Sequence, residues 1–408
     1  MFKELYVSAQ SIAVLDTKTS AAADAAAIDP EEHQPDWQDP DRIREVRRQL
    51  SVLPELVAEE ECRALTRQLS RVGRREAVLL QMGDCAERFA DATASVVADK
   101  VAHLERTADT IRAQTGCDVV RVGRMGGQYA KPRSRRTEIL PDGTLVTSYF
   151  GDAVNDLDDP GARRPDPRRL LTAYHCAALT LAWLRRYRAQ RPPADHVYAS
   201  HEALLLDYEW PLLATGARGR FASSGHLPWI GHRTRSLNGR HVELLESVTN
   251  SVGVKIGPGI TPEQACRLSR RLNPEACDGK LLFITRFGAD RIDDELPPLV
   301  DEVARKGHPV IWVCDAMHGN TMNAGERKTR TVRAVKNEIR AFVRIMKENR
   351  QWPGGLHLET THANVTECVD GRLDHGRAPH FPRYLSACDP RLNGEQTAEV
   401  ADYFSTIL

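Results

Sequence analysis

Eight short apolar runs, separated by longer polar or amphipathic stretches, constrain this chain more than any other feature. They occupy 77–82 (AVLLQM), 118–123 (DVVRVG), 196–200 (HVYAS), 227–231 (LPWIG), 252–256 (VGVKI), 281–285 (LLFIT), 310–313 (VIWV) and 356–358 (LHL). Runs this short, without strict alternation, read as strands covered on both faces. The stretches between them carry helical periodicity. Val97, Val101, Leu104, Ala108 and Ile111 share one face, as do Val332, Val335, Ile339, Phe342 and Met346. Thr261 and Gln264 form a capping box, with Pro262 at the first helical position. Eight strands alternating with helices predict an α/β fold, a closed (β/α)₈ TIM barrel, with a doubly wound open sheet as the alternative. The barrel is expected over 76–408, with a C-terminal loop and helix. Residues 1–75 are expected to be an N-terminal extension: an Ala-, Asp- and Pro-rich arm to about residue 40, then helices. Pro228 is discordant, because a closed barrel has no edge strand to house a proline. It predicts a bulge or an early strand end.

Composition removes several function classes. Lysine plus arginine number 56, as do aspartate plus glutamate, so the net charge is zero. No global field recruits nucleic acid or an anionic membrane surface. Residues 1–20 are polar and mixed, and no stretch approaches the length of a membrane span, so a cytoplasmic protein is expected. Nine cysteines without a CxxC pair suggest reduced thiols or ligands rather than a disulfide framework or a structural zinc site.

Chemistry collects at the carboxyl ends of the runs, the rim where parallel α/β folds place active sites. The first run ends "QMGDCAE", giving Cys85. The seventh ends "CDAMHGNT", giving Cys314, Asp315 and His318. The eighth ends "GGLHLE", giving Glu359, and a later loop, "SACDPRLN", gives Asp389. Singly, each fits an ordinary role: a buried thiol, a cap, an ion-pair partner, a turn residue. Strands one, seven and eight are neighbours in a barrel, however, and a thiolate, an imidazole and two carboxylates converging there would suit Mn²⁺, Fe²⁺, Co²⁺ or Zn²⁺ better than Ca²⁺ or Mg²⁺. A second set is basic. Arg124, Lys131, Arg133 and Ser134 lie in "RVGRMGGQYAKPRS" after strand two. Arg233 follows strand four, Lys255 lies in strand five and Arg286 ends strand six. Cations aimed into a barrel mouth need partners: a multiply charged anion such as phosphate plus carboxylate, or internal pairs with Asp84, Glu202 and Asp315.

The stretches "GDCAE", "GQYAKPRS", "SHEALLLDYE", "VGVKIGP", "MHGNT", "GGLHLE", "NVTEC" and "ACDPRLN", with "WIG" and "RTR" around residue 232, closely resemble the type II 3-deoxy-D-arabino-heptulosonate 7-phosphate (DAHP) synthases from about residue 35 onward. The resemblance implies a metal-dependent barrel enzyme, a homodimer or larger homo-oligomer, that joins phosphoenolpyruvate to erythrose 4-phosphate at the head of aromatic biosynthesis. It puts the metal ligands on Cys85, His318, Glu359 and Asp389, with Mn²⁺ or Co²⁺ ahead of Fe²⁺ or Zn²⁺. It puts phosphoenolpyruvate on Arg124, His232, Arg233, Lys255 and Arg286, and the aldose phosphate on Lys131, Arg133 and Ser134. Arg124, Lys131 and Lys255 would be the catalytic residues, with Lys131 the proton donor. There are departures. His232 stands where the family usually has Glu, and Met82, Ser251 and Ala316 replace a usual Gly, Pro and Pro. The stretch 175–195 is too short for the helix pair that serves feedback in longer members, so the chain resembles compact members of secondary-metabolite pathways. Two alternatives follow: the same chemistry on an imino or amino sugar phosphate, and a non-catalytic partner of a chorismate-using enzyme. Cys388, beside Asp389, is expected close enough to Cys85 for a reversible disulfide.

Overall fold

The computed structural model describes residues 33–133, 135–140, 142–325, 327–371 and 380–408. All eight expected runs are strands: β1 (Ala77–Gly83), β2 (Asp118–Arg124), β3 (Val197–Glu202), β4 (Leu227–Ile230), β5 (Val252–Ile256), β6 (Leu281–Thr285), β7 (Ile311–Cys314) and β8 (Gly355–Glu359). They are parallel neighbours in chain order, and β1 closes the ring against β8, with Leu80 opposite Leu356 and Gly83 opposite Glu359. The barrel, not the open sheet, is the fold.

The period-2 rule sorts side chains between two cores. From β1, Val78, Leu80 and Met82 face the helical layer, while Ala77 and Leu79 face inward. From β6, Leu281 and Phe283 face out, Leu282 and Ile284 in. The outer layer is supplied mainly by α3 (Ala94–Thr115), α4 (Arg169–Arg188), α7 (Pro262–Leu272), α8 (Ile292–Arg305), α9 (Val332–Glu348) and α10 (Gly394–Ile407), with two shorter helices, α5 (Leu206–Glu209) and α6 (Arg240–Glu246). The expected apolar faces of α3 and α9 are buried, and Thr261 caps α7 through the N–H of Gln264.

Among the described residues, two helices precede β1: α1 (Pro40–Ser51) and α2 (Glu59–Gly73). From α2, Leu65, Leu69 and Val72 are buried in the same cluster as the inward residues Leu79, Val120, Leu282 and Val313. This helix therefore stoppers the amino end of the barrel, each aliphatic side chain contributing on the order of 1.5–3 kcal/mol. The loose lead expected up to residue 40 ends earlier. Gln34 and Trp37 are buried, and the Trp37 indole N–H donates to Asp207 Oδ2 at 2.7 Å. Pro228 is accommodated by a short β4. It lies inside that strand, in register with His201 of β3, while the pairing with β5 begins only at Trp229, one residue past the proline. Three antiparallel hairpins that the apolar runs did not reveal decorate the loops: Thr137–Ile139 with Leu145–Thr147, Leu213–Gly216 with Gly219–Ala222, and Met322–Ala324 with Arg327–Thr329. Among the described residues, no helix is long and apolar enough to cross a membrane.

Candidate active site

At the carboxyl end of the barrel the inward positions turn from apolar to polar. A floor forms first. Gln81 donates to Ser200 Oγ at 2.8 Å, and Ser200 donates to the Gly123 carbonyl at 3.0 Å. The Gln81 Oε1 lies 2.8 Å from His357 Nδ1. Burial, then Lys255 and Arg124, push His357 well below the ordinary imidazole value. The ring is therefore neutral, giving its Nδ1 proton to Gln81 and accepting from Arg124 at Nε2. Arg124 is wholly buried and also donates to the carbonyls of Asp84 and Cys85.

Above this floor lie the candidate ligands. Donor atoms of Cys85, Glu359 and Asp389 fall within 4.8 Å of one another. His318 is outside that triplet but adjoins it, its Nε2 3.0 Å from Glu359 Oε1. Its Nδ1 faces Asp315 Oδ2 at 2.7 Å, which leaves Nε2 directed at the ligand cluster. The same Asp315 oxygen pairs with Lys255 at 2.9 Å. Glu359 is crowded with cations: Arg124 at 3.0 Å and Lys131 at 3.1 Å on Oε1, and Arg330 at 2.8 Å on Oε2. The Arg330 contact is one of charges, since its angle leaves both atoms without a directed hydrogen bond. Lys131 also reaches Asp389 at 3.4 Å. Cys314, noted at the end of the seventh run, points away from this group. It faces the helical layer, one residue out of phase with the inward Val313 and Asp315.

The donor set fits a transition metal. A thiol, two carboxylates and an imidazole converge, Glu359 Oε2 has no directed donor, and the Asp389 N–H already donates to Cys85 Sγ at 3.2 Å. Burial first, then the Cys388 thiol hydrogen-bonded to it, raise Cys85 well above the ordinary thiol value. Asp389 arrives from a loop organised by Glu367. That buried carboxylate accepts from the N–H groups of Leu385, Ser386 and Arg391, at 3.0, 2.8 and 2.8 Å, and pairs with the Arg391 guanidinium. Arg391 in turn binds Asp84, at 2.6 Å, next to Cys85. One chain of ion pairs thus ties both ends of the ligand set together.

The opposite wall is cationic. Arg235 Nη1 lies 2.5 Å from His232 Nδ1, and Arg286 donates to the His318 carbonyl at 3.4 Å. Burial, then Arg235, Arg286 and Arg233, lower His232 to about 3. Burial, then Arg286, lower Arg235 to about 10. Among the described residues, no carboxylate lies within ion-pair distance of Arg235 or Arg286. Lys255, 4.5 Å from the Trp229 ring centre, is lowered to about 8 by burial, which Asp315 only partly offsets. Arg233 is exposed and donates to the Pro132 carbonyl at 3.3 Å. Arg133 pairs with Glu138 at 3.1 Å. Ser134 lies outside the described residues. Of the internal partners considered from sequence, Asp315 does take Lys255, whereas Asp84 is used by Lys100 and Arg391. Arg235, Arg330 and His357 belong to the mouth and were not singled out in the sequence. Arg235 lay in plain view in "HRTR", two residues beyond Arg233.

Comparison with known proteins gives the family. The class-II DAHP synthetase family model matches residues 22–193 and 185–405. The chain belongs to that family. It is 42% identical to a probable phospho-2-dehydro-3-deoxyheptonate aldolase of Pseudomonas fluorescens, over 88% of this chain and 91% of that one. It is 37% identical to the phospho-2-dehydro-3-deoxyheptonate aldolase of Streptomyces coelicolor, over 95% and 97%. A phospho-2-dehydro-3-deoxyheptonate aldolase structure from Francisella tularensis superposes with a TM-score of 0.52 at 15% identity, covering 90% of this chain and 96% of that one, a likeness of fold.

Proposed function

We propose that the protein is a DAHP synthase that condenses phosphoenolpyruvate with erythrose 4-phosphate and water, giving DAHP and phosphate. The observation that carries this reading is the juxtaposition of a buried thiol–carboxylate cluster and its adjoining imidazole with Arg235 and Arg286, which no described carboxylate meets within ion-pair distance. That wall suits an anion with phosphate and carboxylate groups.

Cys85, His318, Glu359 and Asp389 would hold a divalent transition metal, Mn²⁺ or Co²⁺ before Fe²⁺ or Zn²⁺. Such an ion supplies Lewis-acid polarisation of the aldehyde. Arg124, His232, Arg233, Lys255 and Arg286, with Arg235 added, would bind phosphoenolpyruvate. His232, held neutral among arginines, can offer phosphate a hydrogen bond without opposing its charge. Lys131 and Arg133 would bind the aldose phosphate, together with Ser134. Carbon 3 of phosphoenolpyruvate attacks the aldehyde carbon, water adds at carbon 2, and C–O cleavage releases phosphate. Lys131 delivers a proton to the forming hydroxyl, and the arginines balance the charge that leaves. Holding two anions side by side, which water keeps apart, accounts for much of the acceleration.

Purified protein given both phosphates and Mn²⁺ should consume phosphoenolpyruvate only when the aldose phosphate is present, with DAHP identified by mass spectrometry. No turnover with Mn²⁺ or Co²⁺ would sink the reading. A second reading keeps the chemistry but takes an imino or amino sugar phosphate as acceptor, its motive the departures at Met82, His232 and Ala316 around the site. A competition assay offering both acceptors decides by which product forms. A cytoplasmic homodimer or larger homo-oligomer, with residues 1–75 as an extension on the 76–408 barrel, completes the proposal. Sedimentation equilibrium tests the assembly.

A further inference from the structure

Glu338, on α9, takes no part in the reaction above, yet it is fully buried. Among the described residues it has no cationic partner. Burial raises its carboxyl to about 8, against the pull of the N–H donors that face it, and such an arrangement costs more than a leucine of similar volume would. The donors come from two different loops. Oε1 accepts from the N–H groups of Phe287 and Gly288, at 2.9 and 2.8 Å, in the loop after β6. Oε2 accepts from Asn320 Nδ2, at 2.7 Å, in the loop after β7. Asn320 completes the bridge by accepting from the Ala289 N–H at 2.9 Å and donating to the Ala316 carbonyl at 2.8 Å. Below it the two loops touch backbone to backbone. A Cβ on Gly288, whose φ is +88°, would sit 2.7 Å from the Gly319 carbonyl oxygen, and one on Gly319 would sit 2.2 Å from the Gly288 nitrogen.

Each loop carries one functional side chain immediately before this contact. Arg286 adjoins Phe287, and His318 lies two residues before Asn320. We propose that Glu338 is a positioning residue that clamps the β6 and β7 loops together, fixing the distance between the phosphoenolpyruvate cation Arg286 and the metal ligand His318. The proposal rests on the roles assigned to those two residues under the proposed function. A carboxylate suits the task because only an acceptor at both oxygens can take donors from both loops at once.

Glu338→Gln separates the two halves. One amide oxygen can still accept from Phe287 and Gly288, but the amide nitrogen then confronts the nitrogen of Asn320. The β7 loop is released while the β6 loop stays bound. Expected are a loss of Mn²⁺ affinity by calorimetry of roughly 10–100-fold, the range for a supporting residue behind a metal ligand, and a fall in kcat/KM for phosphoenolpyruvate. The KM for the aldose phosphate should be unchanged, because Lys131 and Arg133 sit on the β2 loop. Adding Asn320→Asp reverses donor and acceptor across the bridge and should restore part of the Mn²⁺ affinity. A folded Glu338→Gln protein with wild-type Mn²⁺ affinity and wild-type KM for phosphoenolpyruvate overturns the clamp. So does an equal loss in all three parameters that tracks the melting temperature, or no recovery in the double variant. Wild-type protein that is inert with both phosphates would instead sink the proposed function, and the Mn²⁺ titration would still read the clamp.

Discussion

The two ends of this barrel are built from opposite materials. At the amino end, Leu65, Leu69 and Val72 of α2 are buried against Ala77, Leu79 and Val120, and the charges there are paired around the rim, as Arg71 is with Asp118 at 2.5 Å. At the carboxyl end, Glu359 alone is approached by Arg124, Lys131, Arg330 and His318, while Arg235 and Arg286 face no described carboxylate. The first end is satisfied by the chain itself. The second is overcharged and gains from a ligand. Stability and chemistry are thereby assigned to different ends of one set of strands.

The comparison breaks most decisively if the carboxyl end works without its ligand cluster. Glu359→Gln removes the charge on which three cations converge. Breaking the buried pairing should cost about 3–5 kcal/mol of stability, and the folded variant, short of one candidate metal ligand, should lose activity by roughly a thousandfold, about 4 kcal/mol of barrier at 1.36 kcal/mol per decade. EDTA should abolish turnover, and Mn²⁺ or Co²⁺ should restore it to the wild type but not to the variant. Full activity after chelation would remove the metal from the mechanism.

The amino end should answer differently. Leu69→Ala leaves a cavity in the α2 stopper and should cost about 2–5 kcal/mol of stability. Denaturant unfolding measures that loss. The KM values of the folded variant should match wild type, because no stopper residue reaches the mouth. A large change in KM at preserved folding would mean that the two ends are coupled.

The architecture was legible because strands buried on both faces leave unmistakable apolar runs, and all eight were visible. Cys85, His318 and Glu359 drew notice because they stand at or just beyond the ends of those runs, whereas Asp389 comes from a later loop and was reached only through its motif. What stayed hidden depends on partners far away in the chain. Glu338, Glu367 and Arg330 look like ordinary helix or loop charges until folding brings loops against them. The stoppering by α2 was equally invisible, since its apolar face resembles that of any surface helix. Cys314 is a different case. Inward Ile311 and Val313 fix the parity of β7, and counting one further residue would have turned Cys314 outward.

A smaller effect sharpens the picture of the cationic wall. Arg235→Ala removes a charge held beside Arg286 and should weaken phosphoenolpyruvate binding by about 1.5–3 kcal/mol, as expected for a charged hydrogen bond. The KM for phosphoenolpyruvate should rise accordingly, with Mn²⁺ affinity unaltered. Unchanged KM would place the anion elsewhere.

A different kind of effect, visible only as a slope with pH, concerns a cation at the satisfied end. Lys280 directly precedes β6, its stem partly exposed but its ammonium enclosed against the carbonyls of Val248 and Asn250, at 2.6 and 2.5 Å. Burial lowers it from 10.5 to about 8, with Cys277 and Glu275 opposing. Below pH 8 the lysine is charged in both states, and folding bears the full desolvation. Between pH 8 and 10.5 the unfolded chain holds a proton that the folded chain has released, so this residue's contribution to stability rises with pH and levels off above that window. Lys280→Met strands two carbonyls, which shifts stability by a constant, but it abolishes the titration. The stability of wild type minus that of Lys280→Met should therefore climb from pH 8 to 10, whatever its starting value. Denaturant midpoints across that range give the slope. A flat or falling difference would show that the ammonium is as well solvated by those two carbonyls as by water, and that even the satisfied end keeps its cations charged at no cost.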